Sequence, residues 1–195
     1  VIRFRSPSRR LLGLFVAVPF IAAACTTSAS DSTDDAATAA AATDAAAGAE
    51  ASWLDIELTD AETGEPFSLA SLGGEVVAIE PMAIWCSNCR AQQDNVKEVY
   101  DQIEASGVTY ISLGIDPGEN PDSLAAYAER RGYEWTFAQS PVELSRALSD
   151  RFGPQILSAP STPLIVLDSR GEVTFQDFGF HGPEQLLGIL EEASA

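Results

Sequence analysis

Cys86 and Cys89 are separated by Ser87 and Asn88 and preceded by Trp85. An apolar run, Val76 to Ile84, leads into this cluster and an amphipathic run, Arg90 to Ile103, leads out of it. The cysteines therefore fall where a strand hands over to a helix. On a first helical turn this spacing brings two sulfurs within bonding distance, so the pair can pass between dithiol and disulfide. Unpaired N–H groups and the helix dipole at that end favour thiolate over thiol. Such a setting lowers a cysteine pKa from about 8.5 toward roughly 7 or below. Cys86, nearer the free end, is expected to be the exposed nucleophile. Cys89, one turn in, is expected to be buried and to act as the resolving thiol.

Other uses of a C-x-x-C pair fit less well. Zinc takes four protein ligands, or three and a water, and the chain offers one further cysteine, Cys25, and one histidine, His181. Haem attachment wants His directly after the second cysteine, where Arg90 stands. The peroxidase pattern P-x-x-x-[TS]-x-x-C is not met either, because no Thr or Ser precedes Cys86 at that spacing and Pro81 is misplaced.

The elements that must position the pair can be traced through residues 53–195. Trp53 to Leu58 alternates apolar and polar residues as an edge strand does, and Thr63-Gly64-Glu65-Pro66 reads as a turn. Val76 to Ile84 is suited to a central strand buried on both faces. The following helix carries Val96, Val99, Tyr100 and Ile103 on one face and is closed by Gly107. Val108 to Ile115 is a second buried strand. Asn120-Pro121 opens a helix through Arg131 that Gly132 stops. Trp135 to Ala138 is a short strand. Ser140-Pro141-Val142-Glu143 suggests a capping box opening a helix with Leu144, Ala147 and Leu148 inward, ended by Gly153. Leu164 to Leu167 and Glu172 to Phe178 form a hairpin. Pro183 starts a terminal helix with Leu186, Leu187 and Leu190 inward. Alternation followed by an antiparallel hairpin and a helix implies a three-layer α/β/α sandwich with a mixed central sheet.

The front of the chain has a different composition. Arg3, Arg5, Arg9 and Arg10 precede an apolar stretch, Leu11 to Ala24, that is short of the roughly 20 residues a spanning helix needs. Residues 1–24 read as an export signal. Ser8-Arg9-Arg10-Leu11-Leu12 resembles a twin-arginine signal, with an ordinary secretory peptide as the alternative. Ile21-Ala22-Ala23-Ala24-Cys25 is similar to a lipobox, which makes Cys25 a lipid anchor in residues 25–52. The rest of that stretch, Ala, Thr, Ser, Asp and Gly, is expected to be a disordered tether. Four of the 11 basic residues lie in the signal, leaving 7 basic against 29 acidic residues and a formal charge of −22. Such acidity argues against nucleic acid as a partner.

With these elements in view, Trp53 to Ser194 resembles the thioredoxin fold, and more narrowly the membrane-tethered, extracytoplasmic TlpA/ResA-like thiol-disulfide oxidoreductases. The likeness rests on Phe67-Ser68-Leu69 before Gly73-Gly74, on the Trp85-Cys86-Ser87-Asn88-Cys89 motif, on a late proline before a strand, and on the closing hairpin and helix. It implies a cis-proline facing the disulfide. Pro163 is favoured because a strand begins directly after it, with Pro160 as the alternative. It also implies a buried acid at Glu80, five residues before Trp85. A carboxylate on a buried strand has a raised pKa and could take the proton of Cys89 during resolution. ResA-like proteins often carry Glu three residues after the second cysteine, whereas this chain has Gln92. The Ser87-Asn88 dipeptide matches neither reducing thioredoxins nor strong oxidants. Copper-delivery relatives of the fold suggest a second use, with Cys86, Cys89 and His181 holding Cu(I), although those relatives space their cysteines by three.

The expectation is an exported oxidoreductase whose redox centre is the Cys86–Cys89 disulfide, with no other cofactor. It exchanges disulfides with exported proteins, most simply as a reductant fed by a membrane electron donor. Its place is the extracytoplasmic face of a bacterial membrane, or the periplasm or medium if Cys25 is not lipidated.

Overall fold

The computed structural model describes residues 53–195. The export signal, Cys25 and the tether lie outside the described residues.

Seven strands and four helices follow one another along the described chain. Strands β1 (Leu58–Thr59) and β2 (Pro66–Phe67) make a small antiparallel pair. The main sheet comprises β3 (Val76–Met82), β4 (Val108–Gly114), β5 (Thr136–Gln139), β6 (Pro163–Leu167) and β7 (Val173–Phe178), in the order β5-β4-β3-β6-β7. β4 runs parallel to both β3 and β5, whereas β6 is antiparallel to β3 and β7. Helices α1 (Ser87–Ala105), α2 (Pro121–Arg131) and α3 (Val142–Phe152) make the crossovers, and α4 (Pro183–Ala193) closes the chain. The mixed sheet and three layers are those the element order predicts.

Period-two alternation divides the core between the two sheet faces. Val76, Ala78 and Met82 of β3, with Tyr110 of β4 and Val166 of β6, pack with Val96 and Ile103 of α1, Leu124 of α2 and Leu186 of α4. Val77 and Ile79 of β3, with Ile111 and Leu113 of β4, pack on the opposite face with Leu144 and Leu148 of α3. Each fully buried aliphatic side chain contributes about 1.5–3 kcal/mol. β3 is buried along its whole length. Pro81 neither breaks nor bulges it. The β6 ladder ends at Ile79, before the imide nitrogen, while the β4 register runs unbroken to Met82 opposite Gly114.

Two predicted elements differ. Leu58 is buried, Leu54 and Ile56 are half-buried and Asp55 and Glu57 exposed, as the alternation requires, but Trp53 is buried against it, and only Leu58 and Thr59 form strand. The indole of Trp53 is held by Phe152 of α3, with rings edge-on and 6.1 Å apart, rather than by a neighbouring strand. In α3, Pro141 occupies the N-cap, with no side-chain cap bond. The Ser140 N–H donates to the Gly114 carbonyl at the end of β4, which ties Ser140 to the sheet edge, and the helix starts one residue on. α2 instead carries the full capping box, between Asn120 and Ser123, and ends on Gly132 in the left-handed region at φ 63°.

Candidate active site

Strand β3 delivers Trp85 and Cys86 to the start of α1, where Cys86 is the N-cap. Its sulfur accepts the Cys89 N–H at 3.0 Å, one of the donors a helix start leaves without a carbonyl partner. Cys86 and Cys89 form a disulfide, with Cα atoms 5.3 Å apart. Cys89 is fully buried, as expected. Cys86, expected to be exposed, is only 2 % exposed in this oxidised form. The cover comes from the turn Ala159–Ser161 lying against the first turn of α1. Cys89 Sγ sits 3.2 Å from the Ala159 carbonyl, an acceptor for its thiol once the disulfide is reduced. Asn88 Nδ2 donates to the Pro160 carbonyl at 2.8 Å.

The cis-proline expectation is not met. Among the described residues every peptide bond is trans. The chain instead turns into β6 at Thr162, the one described non-glycine residue with positive φ, at 46°. Pro163 is the buried first residue of β6, opposite Phe178. It is the Pro160 segment whose backbone meets Asn88 beside the disulfide.

Glu80 is buried, on the face of β3 shared by Ala78 and Met82, whose cluster includes both cysteines. Tyr110 and Ser112 each donate to its Oε2, at 3.4 and 3.3 Å. Oε1 has no hydrogen-bond partner among the described residues. Loss of water pushes the Glu80 pKa up to about 8, against the pull of the Ser112 and Tyr110 hydroxyls and of the nearby Gln93 amide, whose hydrogen bond goes to Ser112. The acid is therefore mostly protonated at neutral pH.

Trp85 is 62 % exposed beside Cys86, and its indole N–H donates to Asp116. Glu119, in the same β4–α2 loop, accepts the Ile84 N–H at 2.7 Å. Its pKa is raised to about 6, chiefly by desolvation. These two carboxylates anchor the strand-to-helix turn that carries the nucleophile. Residue spacing gave no sign of them. The available clue was topological, since loops after the C-terminal ends of parallel strands gather at one edge of a sheet. Leu157 and Phe180, 36 % and 55 % exposed, lie on segments adjoining the Ala159–Ser161 turn, the latter through the Gly179 N–H bond to the Ser161 carbonyl.

Gln92 faces the segment before α4. Its Oε1 accepts the His181 N–H at 2.8 Å and its Nε2 donates to the His181 carbonyl at 3.2 Å. The His181 ring is buried, and its Nε2 is 3.8 Å from Asp177. Burial lowers its pKa. The backbone of His181, rather than its imidazole, is what α1 holds. No group of three or more His, Cys, Asp or Glu side chains among the described residues is placed to hold a metal ion, so the copper arrangement of Cys86, Cys89 and His181 is not assembled.

A thioredoxin-like sandwich with a C-x-x-C disulfide at the start of its first crossover helix defines the class of a thiol-disulfide oxidoreductase. The Redoxin family profile matches residues 34–185, and the chain belongs to that family. Among solved structures, a thiol:disulfide interchange protein of the thioredoxin family from Chlorobium tepidum is similar at 22 % identity and a TM-score of 0.59, over 71 % of this chain and 92 % of that one. A secreted Mycobacterium tuberculosis disulfide oxidoreductase homologous to Escherichia coli DsbE is similar at 15 % identity and a TM-score of 0.56, over 72 % and 98 %. These likenesses agree in fold with the TlpA/ResA-like resemblance. No curated protein matches the sequence.

Proposed function

We propose that the chain reduces disulfides in exported proteins at the extracytoplasmic face of the membrane, held there by lipid on Cys25 and fed electrons by a membrane dithiol donor. The observation that carries this reading is the Cys89 N–H aimed at Cys86 Sγ at the mouth of α1, a donor that stabilises negative charge on the attacking sulfur. The export signal and the absence of stray cysteines support the location, and no described helix is long and apolar enough to cross a membrane.

In the reductive direction Cys86 thiolate attacks one sulfur of a client disulfide, forming a mixed disulfide and releasing the client's other sulfur as thiolate. Glu80, once it has released its own proton to solvent, accepts the Cys89 proton as a carboxylate. Cys89 thiolate then attacks Cys86 Sγ, the bond from Cys86 to the client breaks, and the second client sulfur leaves. The client gains two electrons and the enzyme ends as a disulfide above a protonated Glu80. A client segment crossing Trp85, Leu157 and Phe180 would cover apolar surface while presenting its sulfur to Cys86.

Insulin reduction with dithiothreitol as electron source tests the reading. Wild type should precipitate the insulin B chain, Cys86→Ser should be inert, and Cys89→Ser should accumulate a mixed disulfide. Equal rates for wild type and Cys86→Ser would remove the enzymatic account. The direction of electron flow is tested by the potential of the couple: a value near about −270 mV supports a reductase and one near about −120 mV an oxidase.

A further inference from the structure

Glu80 does not sit alone in the core. Ser112 lies directly opposite it in the β3–β4 register, on the same face of the sheet. Two groups donate to Ser112 Oγ: Trp135 Nε1 at 2.9 Å and Gln93 Nε2 at 3.4 Å. An indole N–H can only donate. The orientation of the Gln93 amide is set at its other end, where Oε1 accepts the Tyr127 hydroxyl at 2.7 Å. With both lone pairs of Ser112 occupied, its own proton has one buried acceptor left, Glu80 Oε2. Tyr110 points its hydroxyl at the same oxygen. All the donors therefore converge on Oε2, and Oε1 is left bare.

We infer that Ser112, polarised by Trp135 and Gln93, is a positioning residue that reserves Glu80 Oε1 as the oxygen exchanging a proton with Cys89. This rests on the role of Glu80 proposed above. The bonds from Ser112 and Tyr110 are long, as suits a neutral carboxyl. Charge-assisted bonds are shorter and stronger, so both tighten when Glu80 ionises, and this lowers the cost of the carboxylate that resolution needs. The other titratable groups interacting with Glu80 are Tyr110 of β4 and Tyr127 of α2, and the cysteine pair of α1 belongs to the core cluster on the same face of the sheet. Burial raises both tyrosines, Tyr127 to about 12 and Tyr110 well above its ordinary value, so neither titrates near neutral pH.

Resolution can be timed on the reduced full-length protein with Ellman's reagent. Attack by Cys86 releases one thionitrobenzoate, and attack by Cys89 on the mixed disulfide releases the second. The rate of the second release against pH should show an inflection in wild type that Glu80→Gln removes. In Ser112→Ala the inflection should move up by about one pH unit, a roughly tenfold slower second release at neutral pH, with the high-pH plateau retained. Ser112→Thr, which keeps the hydroxyl, should restore the wild-type profile. Trp135→Phe, which releases the Ser112 hydroxyl to rotate, should move the inflection in the same direction as Ser112→Ala. If Ser112→Ala follows the wild-type curve while Glu80→Gln loses the inflection, the inference is wrong and the proton-acceptor role of Glu80 stands. If Glu80→Gln also follows the wild-type curve, both fall.

Discussion

A carboxyl group buried with only long hydrogen bonds makes stability depend on pH in a direction opposite to that of most acids. Glu80 holds its proton up to about pH 8 in the folded protein and releases it near its ordinary value of 4.5 when unfolded. Between those limits the unfolded state binds fewer protons, so stability is greatest below about pH 4.5 and declines as pH rises toward 8. The displacement corresponds to a few kcal/mol, at about 1.4 kcal/mol for each pH unit. Glu119 adds to the same trend over a narrower window that ends near pH 6, weakened by its partial exposure. Urea denaturation of oxidised wild type and Glu80→Gln at pH 5 and pH 8 isolates the Glu80 contribution. The variant should gain on wild type as pH rises, by an amount on the order of 2–4 kcal/mol. A constant difference between the two proteins would mean that Glu80 is solvated. Such a cost is retained where the group has work to do, and here it lies on the face of β3 that packs against the disulfide.

At the scale of elements, α1 is joined to the rest of the molecule by side chains that grip backbone. Asn88 holds the Pro160 carbonyl, and Gln92 holds both polar groups of the His181 peptide. An amide suits the second task because it donates and accepts at once. A carboxylate at position 92, as in many ResA-like proteins, could accept the His181 N–H but not donate to its carbonyl. Asn95 Nδ2 also donates to that carbonyl, at 3.1 Å, so Gln92→Glu leaves it paired but buries an ionised carboxylate against it, and should destabilise the fold by about 1–3 kcal/mol at pH 8. The deficit should shrink at pH 5, where a protonated carboxyl recovers the donor. Chemical denaturation at the two pH values measures it, and an undiminished deficit at pH 5 would show that the site rejects the carboxyl for shape. The departure of Gln92 from the family pattern thus has a structural meaning: it exchanges a titrating group for a fixed latch between α1 and the approach to α4.

The whole molecule shows which parts of such a site sequence patterns reach. The cysteine pair and its helix are local consequences of spacing and hydrophobic periodicity, and the buried acid at Glu80 follows from the family resemblance. Contacts made across long stretches of chain were not legible. Ser112 is 32 residues from Glu80, and Asp116 is 31 from Trp85. Nothing in an isolated serine or aspartate announces such neighbours. The cis-proline expectation likewise rested on a dipeptide, whereas the chain enters β6 through Thr162 in the left-handed region, as the C-cap of the Ala159–Ser161 turn, with Pro163 trans.

Net charge is legible from sequence, and the fold gives it a place near the chemistry. Asp116, kept ionised by the Gly118 N–H and the Trp85 indole, is bonded to the residue next to the nucleophile, on a chain whose residues 25–195 carry a formal −22. A field of that sign concentrates cationic substrates at the site and repels anionic ones, over a Debye length of about 10 Å at 0.1 M salt. Cystamine, a dication, and dithiodiglycolate, a dianion, test this with the same disulfide chemistry, each rate being normalised to its reaction with free dithiothreitol. At about 10 mM salt cystamine should react faster, on the order of tenfold, and the ratio should approach one near 0.5 M. Asp116→Asn should reduce the low-salt ratio without removing it, because the remaining acidic surface still contributes. A ratio independent of salt would mean that the negative field does not extend to Cys86, and that client choice is made by apolar contact with Trp85, Leu157 and Phe180 alone.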